Sequence, residues 1–261
     1  MKKKLINLIY PAISFLLLLI IWQAVVNFGF INSIFLPSPV KVLFALVKNY
    51  HYLLISLLLT LKHITLGYFT GTILAIIFGC LISYQQKIEL SVKPLVLIIG
   101  TIPVVTFLPL FILWFGLNEK PIILCAIIAA FFPTLLSTIS GIKKIDYRYL
   151  EVARNFTENK RKIMNKVTIP AALPYITNGL KNSIILTFLV TPPAEMIMGS
   201  GGLGQLIEKG AELLKPDLII LGQITLGLTG VIILKIFDLV EKKYILPWLP
   251  WIKNKEHADN K

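Results

Sequence analysis

Residues 121–141, PIILCAIIAAFFPTLLSTISG, carry no charge, and residues 142–170, IKKIDYRYLEVARNFTENKRKIMNKVTIP, follow them at once with charged and apolar side chains interleaved. A helix needs about 20 consecutive apolar residues to cross the hydrocarbon core of a bilayer. The first stretch therefore predicts a spanning helix. The second predicts a basic, helix-forming loop held at one membrane face. Further apolar stretches flank the pair, at about 8–28, 64–83, 95–116, 176–197 and 218–234, with Lys181 and Glu195 inside the fourth of these. An amphipathic piece containing Lys62 and His63 precedes the span at 64–83.

Composition agrees. Of 261 residues, 56% are hydrophobic and 15% charged, and the mean hydropathy is +0.79. Soluble domains carry about 25% charged residues. The fold class expected is an all-α integral membrane protein with about six transmembrane helices. The net charge of +13 lies in clusters between the apolar runs, with no continuous basic face and no nucleic-acid-binding pattern, so no nucleic-acid partner is expected. Cys80 and Cys125 both lie in apolar runs, where a free cysteine packs as a small hydrophobe. No CxxC or His/Cys pairing suggests a metal site. Lys2-Lys3-Lys4 before an apolar run resembles a signal peptide, but the uncharged run extends to Val40, which favours an uncleaved first span.

Six spans put both termini on one side. With the N-terminus inside, the cytoplasmic segments hold 18 of the Lys and Arg residues and the outer segments five, eight of the 18 lying in the 142–170 region. Because Lys and Arg favour the cytoplasmic side, the orientation expected is N-in and C-in.

Several spans contain proline, at Pro103, Pro109, Pro133, Pro192 and Pro193. Proline kinks a helix and frees carbonyls that a polar path can use. Pro103, Thr106, Thr187 and Glu195 are the candidate pathway-lining residues, with a solvated or ion-paired carboxylate as the alternative for Glu195, and Thr101 and Thr191 are the other polar groups of these spans. Lys181 and Lys235 sit near cytoplasmic ends and can snorkel. Gly67 and Gly71 form a small-xxx-small pair that permits close helix packing. Outside, Ser38 and Pro39 open a short interfacial helix with Val40, Leu43, Phe44 and Val47 on one face.

Gly199-Ser200-Gly201-Gly202-Leu203-Gly204 fits GxGxxG, but that pattern binds dinucleotides only between a strand and a helix. Here it predicts an external turn before a short helix at 206–214. There is no Walker lysine motif and no catalytic constellation, so the chain is expected to be no enzyme and to bind no cofactor.

In the loop, Asp146 is a candidate N-cap, and Tyr149, Val152, Ala153 and Phe156 share one helical face. Thr157 interrupts. A second helix is expected at 158–168, with Ile163, Met164 and Val167 on one side, stopped by Ile169-Pro170. A basic hairpin of this kind is equally suited to lying on anionic lipid headgroups.

The spacing is more specific. Glu151-Val152-Ala153, Thr157 and Val167-Thr168-Ile169-Pro170 resemble the EAA signature of ATP-binding-cassette importer permeases, which reads E-A-A, three residues, G, nine residues, I-x-L-P. Val152 and Thr157 depart from it. The flanks Leu113-Trp114-Phe115-Gly116, Phe131-Phe132-Pro133, Ala171-Ala172-Leu173-Pro174, Gly179-Leu180-Lys181, Ala194-Glu195-Met196 and Gly202-Leu203-Gly204 resemble the nitrate, sulfonate and taurine branch. Pro192-Pro193 departs from it. The resemblance covers about 36–248.

The resemblance implies a type I importer permease that alternates access and transports a small solute of the nitrate, sulfonate, taurine or pyrimidine-precursor type. Implied partners are a dimeric cytoplasmic ATPase that uses the ATP, a second permease copy, an extracytoplasmic substrate-binding protein and the bilayer of a bacterial cell membrane. Glu151, Val152, Ala153, Arg154, Phe156 and Thr157 become the ATPase-docking segment, and Val167, Ile169 and Pro170 end the motif. One transmembrane domain is expected over 1–261. It comprises a first span (1–35), an external segment (36–50), spans two to four (51–141), the coupling loop (142–172), spans five and six (173–240, with an external loop at 198–217) and a cytoplasmic tail (241–261). The alternatives are an ion-coupled secondary transporter, which would need midplane carboxylates and an internal repeat, and a membrane enzyme.

Overall fold

The structure is a computed structural model that describes residues 2–32, 35–84 and 86–245. The expected tail beyond residue 245, with its lysines and His257, lies outside the described residues. Among the described residues the chain is helical, without strands: α1 (Lys2–Asn27), α2 (Pro39–Ser83), α3 (Gln86–Gly100), α4 (Leu108–Phe115), α5 (Glu119–Lys143), α6 (Tyr147–Phe156), α7 (Lys160–Ile163), α8 (Ile169–Met198), α9 (Gly202–Glu212) and α10 (Pro216–Val240). Three helices, α2, α5 and α10 with its extension to Lys243, are long and apolar enough to cross a membrane. Two bent pairs, α3 with α4 and α8 with α9, also qualify when each is taken together.

The core is a three-helix packing of α2, α5 and α8. On α2, Gly67 faces Ala126, Gly71 faces Ile127 and Ala130, and Gly79 faces Thr138 of α5. Both residue numbers rise together, so α2 and α5 run parallel. A methyl added at Gly67 would overlap Ala126, so the small-xxx-small pair is what lets these backbones meet. Across the other face, Gly141 meets Ala172 and Tyr175, and Gly179 meets Thr134 and Ser137, so α5 and α8 are antiparallel. Thr134 Oγ1 and Ser183 Oγ lie 2.7 Å apart in this seam, and Ser183 also donates to the Ala130 carbonyl at 2.8 Å.

Two parallel helices need a return between them, and α3 and α4 supply it. Val96 of α3 packs with Ile82, Leu135 and Ile139 at one end of the core, while Leu108 and Phe111 pack with Ile122 and Cys125 at the other. The expected span at 95–116, kinked by its prolines, is broken outright: its two halves meet at 87° across residues 101–103, just before a 3-10 turn at Val104–Phe107. Pro103 biases Ile102 away from helical backbone, and the second helix starts afresh with Pro109 in its first turn.

Two other boundaries differ from expectation. The interfacial helix and the second span are one helix, α2, bent at Asn49 (φ −115°, ψ 17°), whose side-chain amide donates to the Ala45 carbonyl at 2.9 Å. Ser38 caps it, and Val40, Leu43, Phe44 and Val47 share an exposed face as expected. At the other end of the molecule, Pro170 does not stop the second loop helix. A π turn over Met164–Thr168 joins α7 to α8, with Pro170 in the first turn of α8, where a missing N–H costs little. Pro192 and Pro193 likewise sit within α8, which runs on to Met198.

Candidate functional site

The loop builds a short exposed helix, α6. Asp146 accepts a hydrogen bond from the Arg148 N–H at 3.0 Å and so caps α6 as expected. Tyr149, Val152 and Phe156 are exposed, Phe156 at 86%, while Ala153 is half-buried. Glu151 and Arg154 are exposed beside them. Tyr149, Val152 and Phe156 thus form an exposed apolar patch on a ten-residue helix. Thr157 ends α6 in extended backbone (φ −164°, ψ 138°), which any residue adopts, so the turn needs no glycine. It does not cap the next helix. Asn159 does, accepting from Arg161 and Lys162 at 3.0 and 3.2 Å, while the Thr157 hydroxyl accepts from the Asn159 N–H at 3.2 Å.

Behind α6 the chain is anchored at several points. Ile163 and Thr168 are buried, and Val167 and Ile169 are half-buried. The Lys144 ammonium lies over the Tyr175 ring at 5.2 Å, and that of Lys160 lies 6.0 Å from the Tyr84 ring at the end of α2. Lys143 pairs with the buried Glu89 at 2.5 Å, tying α5 to α3. The residues that flank α6 thus meet the ends of α2, α3 and α8.

The four pathway candidates divide. Pro103 and Thr106 are exposed at the bend between α3 and α4. Thr187 and Glu195 are fully buried and reach no surface of this subunit. Thr187 Oγ1 donates to the Ser183 carbonyl at 2.7 Å along its own helix, and Thr191 does the same to Thr187 at 2.8 Å.

Glu195 is the centre of a polar cluster that the sequence did not assemble. Thr60 Oγ1 donates to Glu195 Oε2 at 2.8 Å, and the Gly204 N–H donates to the same oxygen at 3.0 Å. His63 Nδ1 lies 2.8 Å from Glu195 Oε1, and both side chains are 0% exposed. Thr60 in turn accepts from the Leu203 N–H at 2.8 Å. The GxGxxG stretch is thus an anion cradle, and its anion is the protein's own carboxylate at the N-terminus of α9. Nearby, Lys62 pairs with Glu119 at 2.5 Å. Within the sequence, the charged residues of a nominally apolar run were the signal available, but their partners lie 57 to 135 positions away.

Comparison with known proteins points the same way. Residues 67–244 match the family described as binding-protein-dependent transport system inner membrane component. SsuC of Bacillus subtilis, a permease protein named for aliphatic sulfonates, is 30% identical over 93% of this chain and 87% of its own length. TauC of Escherichia coli, a taurine transport system permease protein, is 26% identical over 78% of this chain and 77% of its own. The fold resembles that of a chain from the MetNI methionine ABC transporter in an inward-facing conformation, with a TM-score of 0.59, 19% identity, and coverage of 73% of this chain and 98% of that one. The function of this family is transport, with ATP hydrolysis on a separate subunit. With its all-helical fold, its apolar spans and the match over two thirds of its length, this chain belongs to the family of binding-protein-dependent transport system inner membrane components, the permease subunits of ATP-binding-cassette importers.

Proposed function

We propose that α6 is the coupling helix of this permease and that it docks in a cleft of the cytoplasmic ATPase. The observation that carries this is the exposed Val152–Phe156 face on a capped helix flanked by Lys144 and Lys160, which meet the Tyr175 and Tyr84 rings at the ends of α8 and α2. Glu151 would meet a basic group of the ATPase, and Val152, Ala153 and Phe156 would fill the cleft. The chain itself binds no cofactor, and the partner uses the ATP. Two permease copies, identical or not, form the path, each with six crossings and both termini in the cytoplasm of a bacterial cell. The parallel α2–α5 pair with one return between supports that topology, as does the excess of Lys and Arg at the α6 end. The solute is a small molecule of the sulfonate, taurine, nitrate or pyrimidine-precursor type, delivered by an external binding protein, in keeping with the relatives' names.

The test is copurification. Phe156→Asp and Glu151→Lys should leave the permease in the membrane but reduce the associated ATPase, and the vanadate-sensitive ATP hydrolysis it carries, at least tenfold. Retention of both by both variants would sink the docking role.

A further inference from the structure

Resting on that reading, we infer that Glu195, with Thr60 and His63, is the positioning group that makes the outer helix α9 move as one body with α2 and α8. A displacement delivered at α6 would then arrive intact at the opposite end of the molecule. Three observations carry this. First, α7, the π turn and α8 are continuous helix from Lys160 to Met198, so α8 spans the distance from the coupling loop to the α9 joint without a flexible link. At 1.5 Å per residue its 30 residues reach about 45 Å.

Second, the α8–α9 joint is a 52° bend through Gly199–Gly201 that would be loose if it rested on backbone alone. It is instead fastened from inside. The Glu195 carboxylate takes the α9 N–H of Gly204 directly and that of Leu203 through Thr60, so α9 is bonded to α8 and α2 at once. Gly202 and Gly204 bring their backbone so close that a methyl on Gly202 would overlap the carboxylate and one on Gly204 the Pro192 carbonyl. Removing the carboxylate leaves the buried Gly204 N–H and the Thr60 hydroxyl without their acceptor.

Third, the cluster has one open joint. His63 Nε2 is buried with no hydrogen-bond partner and lies 4.0 Å from Glu119 Oε2, at the start of α5. Glu119 is otherwise held by Lys62 on α2. The α2–α8–α9 contacts are closed hydrogen bonds, whereas the contact from His63 to α5 is not. At this end α9 is thus hydrogen-bonded to α2 and α8, while α5 is joined to that unit by the Lys62–Glu119 pair and by packing of Ile122 and Cys125 with Val190, Ala194 and Met198.

The experiment uses the permease copurified with its ATPase and reconstituted in lipid nanodiscs, with Cys80 and Cys125 replaced by alanine. Spin labels are placed at Tyr50→Cys on α2 and Glu212→Cys on α9, both exposed sites. Distances are read by pulsed electron paramagnetic resonance without nucleotide and after trapping with ATP and vanadate. With one labelled copy per complex, the parent protein should give one narrow distance, unchanged on trapping. Glu195→Ala should broaden it and let trapping shift it. Glu195→Gln, which keeps an acceptor for Gly204 and Thr60, should restore the narrow distance, which a general loss of packing would not allow. Thr60→Val, of similar shape, should broaden it as Glu195→Ala does. Basal ATP hydrolysis should stay within twofold in all of them. A narrow distance in both Glu195→Ala and Thr60→Val, or a shift of α9 against α2 in the parent on trapping, would overturn the inference. Absence of ATP hydrolysis from the parent preparation would count against the docking role of α6 instead.

Discussion

At the scale of single residues, Gly202 and Thr157 show opposite relations between a motif and its backbone. Gly202 has φ +95° at the start of α9, and a Cβ there would overlap the Glu195 carboxylate. A side chain is excluded by conformation and by space together. Thr157 stands where the EAA signature has glycine, yet its backbone is extended, so its side chain costs nothing and its hydroxyl gains a hydrogen bond to Asn159. Gly202→Ala is accordingly expected to destabilise the protein. Backbone strain at positive φ contributes about 1–3 kcal/mol, and the displaced carboxylate adds the loss of its hydrogen bonds to Thr60 and Gly204. Thermal unfolding of the detergent-purified protein should begin several degrees lower than in the parent. An unchanged midpoint would mean that the Glu195 cradle contributes nothing to stability.

At the scale of helices, α2 and α5 meet because three glycines on one face of α2 oppose alanine and threonine on α5. In lipid there is no hydrophobic force to drive helices together, so the depth of this contact supplies the packing energy. Gly67→Val puts a branched side chain into Ala126 and is expected to cut the yield of folded protein in the membrane at least threefold, read by fluorescence-detected size exclusion. Gly227→Val, on α10 where nothing lies within 4 Å, is the matched control and should leave the yield unchanged. The Gly67 and Gly71 spacing was legible in the sequence, as were the capped, one-faced α6 and the apolar runs behind most of the long helices. The continuity of α2 was not. Lys62 and His63 read as the polar edge of a span because their compensating partners, Glu119 and Glu195, are remote in sequence. Within a local window a paired charge and a solvated one look the same. The sharpness of the bend at Pro103 and the run through Pro170 were illegible for a related reason. Proline marks where a helix is vulnerable, and the packing around it decides whether the chain turns, as between α3 and α4, or continues through a π turn, as into α8.

For the whole molecule, the directions of the helices fix which features share an end. Trp22 of α1 donates to the Pro37 carbonyl just before α2 at 3.1 Å, so the end of α1 and the start of α2 lie together. Parallel α2 and α5, antiparallel α8, and the Lys181–Asp238 pair between α8 and α10 at 2.6 Å then put α6 at one end and α9 at the other. The basic residues Lys143, Lys144, Arg148, Arg154, Lys160, Arg161, Lys162 and Lys166 all belong to the α6 end. If that end faces the cytoplasm, a membrane-impermeant maleimide applied to intact cells should label Glu212→Cys on α9 and should reach Glu151→Cys on α6 only after permeabilisation. Both positions are exposed in this chain, so when the permease is expressed without its ATPase, access to each is decided by the membrane alone. Labelling of Glu151→Cys in intact cells with Glu212→Cys protected would invert the orientation and remove the ATPase from reach of α6. Labelling of both without permeabilisation would mean that α5 and α8 do not separate the two ends across a bilayer. Only the expected pattern puts the apolar face of α6 on the side where ATP is found.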